Sequence, residues 1–181
     1  MCEMNDKKRQ KKSVLVAKDC ARIAAFVALT LAVQTSLAVF PGVELVTVLF
    51  VAFSFAFGIK RGVFAAVVFS VVRQLIFGFY PTVLVLYLVY FPTLAAVFGF
   101  LGKRMKLNVK NLIFLTMFAC LGTLMFGIVD GIFTPLWYGY SNRVARLYFQ
   151  ATFTVTLPQV FCTAITVGLL FMPIVKLFRK L

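Results

Sequence analysis

The chain has 181 residues, 62% of them hydrophobic and 13% charged, with 19 Lys and Arg against five Asp and Glu and a net charge of +14. Soluble domains run at roughly 45–50% apolar and 25% charged, so a water-soluble fold is excluded. There is no histidine, which removes the commonest general base and metal ligand and argues against a triad hydrolase or a His-ligated metalloenzyme.

Residues 1–17 form a basic arm carrying Lys7, Lys8, Arg9, Lys11 and Lys12, and residues 18–181 are read as one integral membrane domain. The first apolar stretch, Ile23 to Val39, ends near Ser36-Leu37-Ala38, which has the small-x-small form of a signal cleavage site. Its apolar core is longer than the ~7–15 residues of a signal peptide, so it is expected to remain as a span. Spans then follow at Val43–Gly58, Gly62–Gly78, Thr82–Leu101, Leu112–Phe133 and Gln150–Val175, separated by Pro-Gly, Lys-Arg-Gly, Tyr-Pro and basic punctuation. Pro158 and Pro173 are candidate kinks in the last span. Every second connection is basic: sixteen Lys and Arg fall on one side, only Arg143 and Arg146 on the other, and Arg73 inside a span. The fold expected is therefore an all-α, six-transmembrane-helix bundle with both termini cytoplasmic. The same placement assigns the basic charge to topology and anionic lipid, with no nucleic acid partner.

The four cysteines lack CxxC spacing and read as small buried hydrophobes, with no metal site. Gly99-Phe-Leu-Gly-Lys-Arg lacks the spacer and the hydroxyl residue of a P-loop, so ATP hydrolysis is expected in partner subunits, not in this chain. In and before the first span, small residues recur four apart, on one line Ala17, Ala21 and Ala25 and on a neighbouring line Ala24, Ala28 and Ala32. Such a stripe admits another helix close to the backbone, from this chain or from another subunit.

Ionisable groups inside spans cost several kcal/mol unless paired or hydrated, which singles out Glu44, Arg73 and Asp130. All three fall toward the non-basic end of their spans, where they form either a Glu44–Arg73 pair holding two helices or the polar wall of a ligand cavity, with Gln74 and Asn142 adding hydrogen-bonding groups. The six tyrosines, Tyr80, Tyr87 and Tyr138 among them, and the single tryptophan, Trp137, lie toward that same end. They read as a pocket lining or as an interfacial aromatic belt. The segment Thr134–Phe149 is long enough to serve as a lid over such a pocket.

Three stretches carry a resemblance over nearly the whole length: KDCARIAA at Lys18–Ala25, FPGVELVT at Phe40–Thr47, and Arg-Gln-x-x-x-Gly at Arg73–Gly78. The chain resembles the S component, the substrate-binding membrane subunit, of an energy-coupling factor (ECF) transporter of the prokaryotic cell membrane, and is most similar to the cobalamin group. The resemblance implies that Ala21, Ala25 and Ala28 dock on a transmembrane scaffold subunit served by two cytoplasmic ATPases. It also implies that a vitamin, with cobalamin the expected ligand, is captured from outside and delivered inward. An S component for another micronutrient, a stand-alone carrier or channel, and a membrane-embedded enzyme using Glu44 and Asp130 are the other readings.

Overall fold

A computed structural model describes the backbone of residues 2–40 and 42–180 and the side chains of residues 15–40 and 42–180. The side chains of the basic arm from Lys7 to Lys12, that of Cys2, and Pro41 of the first turn lie outside the described residues. Six helices follow one another: α1 (Cys2–Leu37), α2 (Val46–Phe57), α3 (Ile59–Phe77), α4 (Pro81–Arg104), α5 (Val109–Trp137) and α6 (Asn142–Phe178). There is no strand among the described residues. Four stretches, Leu15–Leu37 of α1 and all of α4, α5 and α6, are long and apolar enough to cross a membrane. This is a helical membrane protein, in which each helix satisfies its own backbone in lipid.

The other two helices depart from that pattern for different reasons. Helix α3 carries Lys60, Arg61 and Arg73, which lower its hydropathy. Helix α2 has 12 residues, about 18 Å of rise against roughly 30 Å of hydrocarbon. It survives because it is the centre of the bundle: Val48, Phe50, Val51, Ala52 and Phe53 are almost entirely buried, and α2 packs against every other helix. Its phenylalanines lock the neighbours by ring contacts, Phe53 stacking on Phe26 of α1 at 4.0 Å and Phe50 meeting Phe69 of α3 at 5.0 Å and Phe91 of α4 at 4.8 Å. Between α1 and α2 the backbone is irregular over Ala38–Phe40 and Gly42–Leu45. Non-helical backbone at membrane depth is tolerated only where protein or a cavity covers it, and this segment lines a cavity.

One end of the bundle collects the basic connections. Arg61 at the start of α3 meets Asp19 of α1 at 2.9 Å, and the Arg179 guanidinium lies 5.8 Å from the Phe55 ring. Helix α4 presses close there because Gly99 and Gly102 bring its backbone onto Ile59 and Phe55. The turn into α5 is closed by Asn108, whose side chain caps Val109 N at 2.7 Å, and by Asn111, which donates to Lys106 O at 2.8 Å.

At the opposite end the expected lid is not a loop. Thr134–Trp137 belongs to α5 and Asn142–Phe149 to α6, leaving a tight turn at Tyr138–Ser141 with Gly139 at φ 63°. No residue from Asn142 to Phe149 breaks a helix, so α6 starts about two turns earlier than its apolar run suggests, and it continues unbroken through Pro158 and Pro173. The α5–α6 contact is the most extensive in the molecule. It rests on Ala119, Thr123, Gly127 and Gly131, four residues apart and all buried on one line of α5. Gly127 abuts Thr156, Gly131 abuts the Phe149 ring, and Thr123 and Thr163 share a hydrogen bond at 3.2 Å.

Candidate functional site

A cavity of about 360 Å³ opens above the N-terminal end of α2. Its walls come from the end of α1, the irregular segment before α2, and the flanks of α3, α4, α5 and α6. The first turn is anchored to α6 at two points. Gly42, at φ 88°, brings the backbone so near Pro158 that an added Cβ would sit 2.9 Å from it. The Cys162 thiol accepts from Glu44 N at 3.3 Å and donates to Glu44 O at 3.4 Å. Glu44 is thereby held at the cavity wall, with its carboxylate accepting from Thr47 Oγ1 at 2.7 Å.

Arg73 enters the same cavity from α3. Its guanidinium lies 4.4 Å from the centre of the Tyr87 ring and 4.8 Å from that of Phe77, so two aromatic faces support the charge. Gln34 of α1 donates through Nε2 to Tyr87 OH at 3.3 Å. Glu44 and Arg73 share the cavity but form no ion pair among the described residues, the ion pairs present being those of Asp19 with Arg22 and Arg61. Of the two readings of these charges, a helix-holding pair and a polar cavity wall, the geometry matches the second, two opposite charges facing a common space.

Three buried polar atoms in this wall have no hydrogen-bond partner: Gln34 Oε1, Arg73 Nε and Tyr90 OH. Buried polar groups are satisfied in the great majority of cases, so three orphans converging on one cavity mark a place where a ligand or water completes the bonding. Gln34 was not a candidate on sequence grounds, and neither was Gln159 of α6, which also lines the cavity, whereas Tyr90 was among the tyrosines read as a pocket lining or an interfacial belt. The signal for Gln34 was a lone amide near the end of an otherwise apolar span.

Of the nine expected site residues, Glu44, Arg73 and Tyr87 meet here, and six do not line the cavity. Gln74 points away on α3, where its Oε1 accepts from Tyr80 N at 3.1 Å and so pins the start of α4. Tyr80 is itself exposed at that turn. Asp130 accepts from Thr134 Oγ1 at 2.7 Å and Tyr148 OH at 3.3 Å, which makes it a clasp between α5 and α6. Trp137 and Tyr138 are about half exposed; Trp137 leans on Phe133 at 5.6 Å, and Tyr138 stacks on Tyr140 at 5.9 Å. Asn142 is an exposed residue of the first turn of α6. These aromatics sit at the end of the bundle away from the basic connections, as an interfacial belt would, whereas the aromatic lining of the cavity comes from Tyr87, Tyr90, Phe91 and Phe126.

The docking candidates Ala21, Ala25 and Ala28 are all exposed, as are Ala17, Ala24 and Ala32. The face of α1 turned into the bundle is the other one, Ile23, Phe26, Val27, Thr30 and Leu31. The stripe therefore does not serve packing within this chain. No protein-family model matches the chain, and neither a curated protein nor a solved structure matches it.

Proposed function

We propose that this chain is the substrate-capture subunit of an ECF-type importer, crossing the membrane six times with both termini cytoplasmic. It binds a small micronutrient in the cavity above α2 from the outer side and passes it inward when a scaffold and ATPases act on the α1 face. The observation that carries this reading is the convergence of Gln34, Arg73 and Tyr90, each with an unsatisfied buried polar atom, on one cavity. The outward-facing alanine stripe supplies a surface for the scaffold. The cavity volume of about 360 Å³ lies near the lower end of the roughly 300–1,000 Å³ that holds drug-sized ligands. It suits a one- or two-ring molecule with a charged or amide group for Arg73 and Gln34. A corrinoid such as cobalamin requires the first turn to withdraw from α6.

Calorimetry of the purified chain with riboflavin, biotin, pantothenate, folate and cobalamin tests both the capture function and the size argument. Tight binding of one of the smaller vitamins is the expected result. In that complex Arg73→Gln should weaken binding by about 10- to 100-fold, the loss of a charged hydrogen bond worth ~1.5–3 kcal/mol. Asp130→Asn should leave the affinity unchanged, because Asp130 lies outside the cavity. Binding of none of the five compounds would remove the vitamin reading.

The topology has its own test in intact cells. A cysteine introduced at Asn108 should resist an impermeant thiol reagent and one at Ser141 should react, since Lys103–Lys110 belongs to the cytoplasmic set. Labelling at residue 108 from outside would reverse the orientation.

A further inference from the structure

Between α4 and α5 lies an apolar groove of about 550 Å³. Its floor runs from Val97 and Phe118 at the basic end to Val85 and Phe133 at the other. Two hydroxyl-bearing residues line it, Thr93, whose Oγ1 is bonded to Val89 O at 2.6 Å, and Tyr90, which it shares with the cavity above α2. Tyr90 and Phe126, whose ring centres are 4.7 Å apart, form the partition between the groove and the cavity above α2, since both line each space.

Two features bear on what the groove accepts. The first is its lining, which over about 20 Å of helix rise is almost wholly apolar, from Val85 and Phe133 to Val97 and Phe118, and so matches an acyl chain. The second is charge. Arg104 at the end of α4 and Lys106 and Lys110 at the start of α5 are all exposed at the basic end of these two helices, whereas Lys103 turns toward Gly58 at the α2–α3 junction. None has an acidic partner among the described residues. Val97 of the groove stands two turns, about 10 Å, below Arg104 on the same face of α4, which leaves room for the glycerol region of a lipid between the cations and the apolar floor.

We propose that the α4–α5 groove holds one anionic phospholipid, with its phosphate on the cluster of Arg104, Lys106 and Lys110 and one acyl chain lying along the groove. The site goes beyond the capture function and does not depend on it. A chain in the groove backs the Tyr90–Phe126 partition from the lipid side, so the lipid would brace one wall of the ligand cavity. Basic pockets between transmembrane helices bind anionic headgroups through this combination of charge and apolar contact.

The test uses the full chain in vesicles with Trp137→Phe, so that a tryptophan placed at Phe118→Trp is the only one. Quenching by phosphatidylglycerol with dibrominated chains is compared with quenching by the equivalent phosphatidylcholine. A preference of at least about fivefold for the anionic lipid is expected at position 118, shrinking as salt screens the cluster. A reporter at Phe161→Trp, exposed on α6 far from the cluster, should show a ratio near one. Replacing Arg104, Lys106 and Lys110 by glutamine should bring the position-118 ratio to near one, and the pair Lys106→Gln, Lys110→Gln, which leaves α4 untouched, to an intermediate value. Equal quenching by the two lipids at 118, a preference that survives the three substitutions, or exclusion of both lipids by a second copy of the chain would each overturn the proposal.

Discussion

Gly127→Leu is expected to lower the unfolding midpoint of the detergent-solubilised protein by roughly 6–12 °C, from overpacking of about 3 kcal/mol at ~2–4 °C per kcal/mol for a chain of this size. The reason is geometric. A Cβ at Gly127 overlaps Thr156 Oγ1 and falls 2.8 Å from Thr156 Cβ, so even alanine forces α5 and α6 apart along the widest contact in the bundle. In membranes, helices associate through close van der Waals packing, and small residues at the crossing are what permits it. The strain also spreads. Separation at Gly127 pulls on the Thr123–Thr163 hydrogen bond on one side and on the Asp130 clasp to Tyr148 on the other. Gly168 on α6 provides the contrast, because an added Cβ there meets nothing within 4 Å. Gly168→Ala should leave the midpoint unchanged or raise it slightly, since glycine costs a helix up to about 1 kcal/mol relative to alanine. Thr156→Ala should restore part of the loss in Gly127→Ala. Thermal denaturation of the variants in one detergent decides the matter, and equal effects at Gly127 and Gly168 would show that the α5–α6 crossing is looser than its geometry implies.

The elements legible in the sequence were those announced by a break in hydropathy. All six helices overlap the expected spans, because Pro-Gly, Lys-Arg-Gly and Tyr-Pro interrupt long apolar runs and nothing else competes with a helix in lipid. Helix α6 begins early because Asn142–Phe149 is polar enough to leave the apolar run while remaining sound helix material; hydropathy measures solvent preference, not backbone conformation. The line Ala119, Thr123, Gly127 and Gly131 follows the same four-residue rule that exposed the α1 stripe. It escaped notice because bulky residues surround it and a threonine interrupts the purely small pattern. The site was harder. Three carboxylate and guanidinium positions at similar depths pointed to a common level in the membrane, yet depth says nothing about angular position around the bundle. Glu44 and Arg73 turn toward α2 and meet at the cavity, whereas Asp130 turns toward α6. Gln34 was invisible for the complementary reason: a single amide in an apolar run gains meaning only when folding leaves its polar atom buried and unpaired.

Under the proposed capture function, Ala21→Trp combined with Ala25→Trp is expected to abolish co-purification with the proposed scaffold and ATPases while leaving the isolated chain's affinity for its ligand within about twofold. Both positions lie on the exposed face of α1, four residues apart, where a partner helix can approach the backbone because no side chain extends beyond Cβ. Two indoles on that line hold the partner away. At ~1–3 kcal/mol of misfit each, the weakening reaches at least about 30-fold, enough to dissociate the complex during purification. The cavity is spared because Ala25 stands nine residues, about 13 Å, below Gln34, and because the inward face of α1 through Phe26, Val27 and Leu31 is untouched. Leu169→Trp, on an equally exposed part of α6, should assemble normally and so separates a face-specific effect from a general penalty for surface tryptophan. Mass analysis of the partners retained by each variant reads the outcome. Assembly that survives both substitutions would show that the alanine face meets only lipid, and loss of vitamin binding along with assembly would show that α1 transmits distortion to the cavity through its inward face.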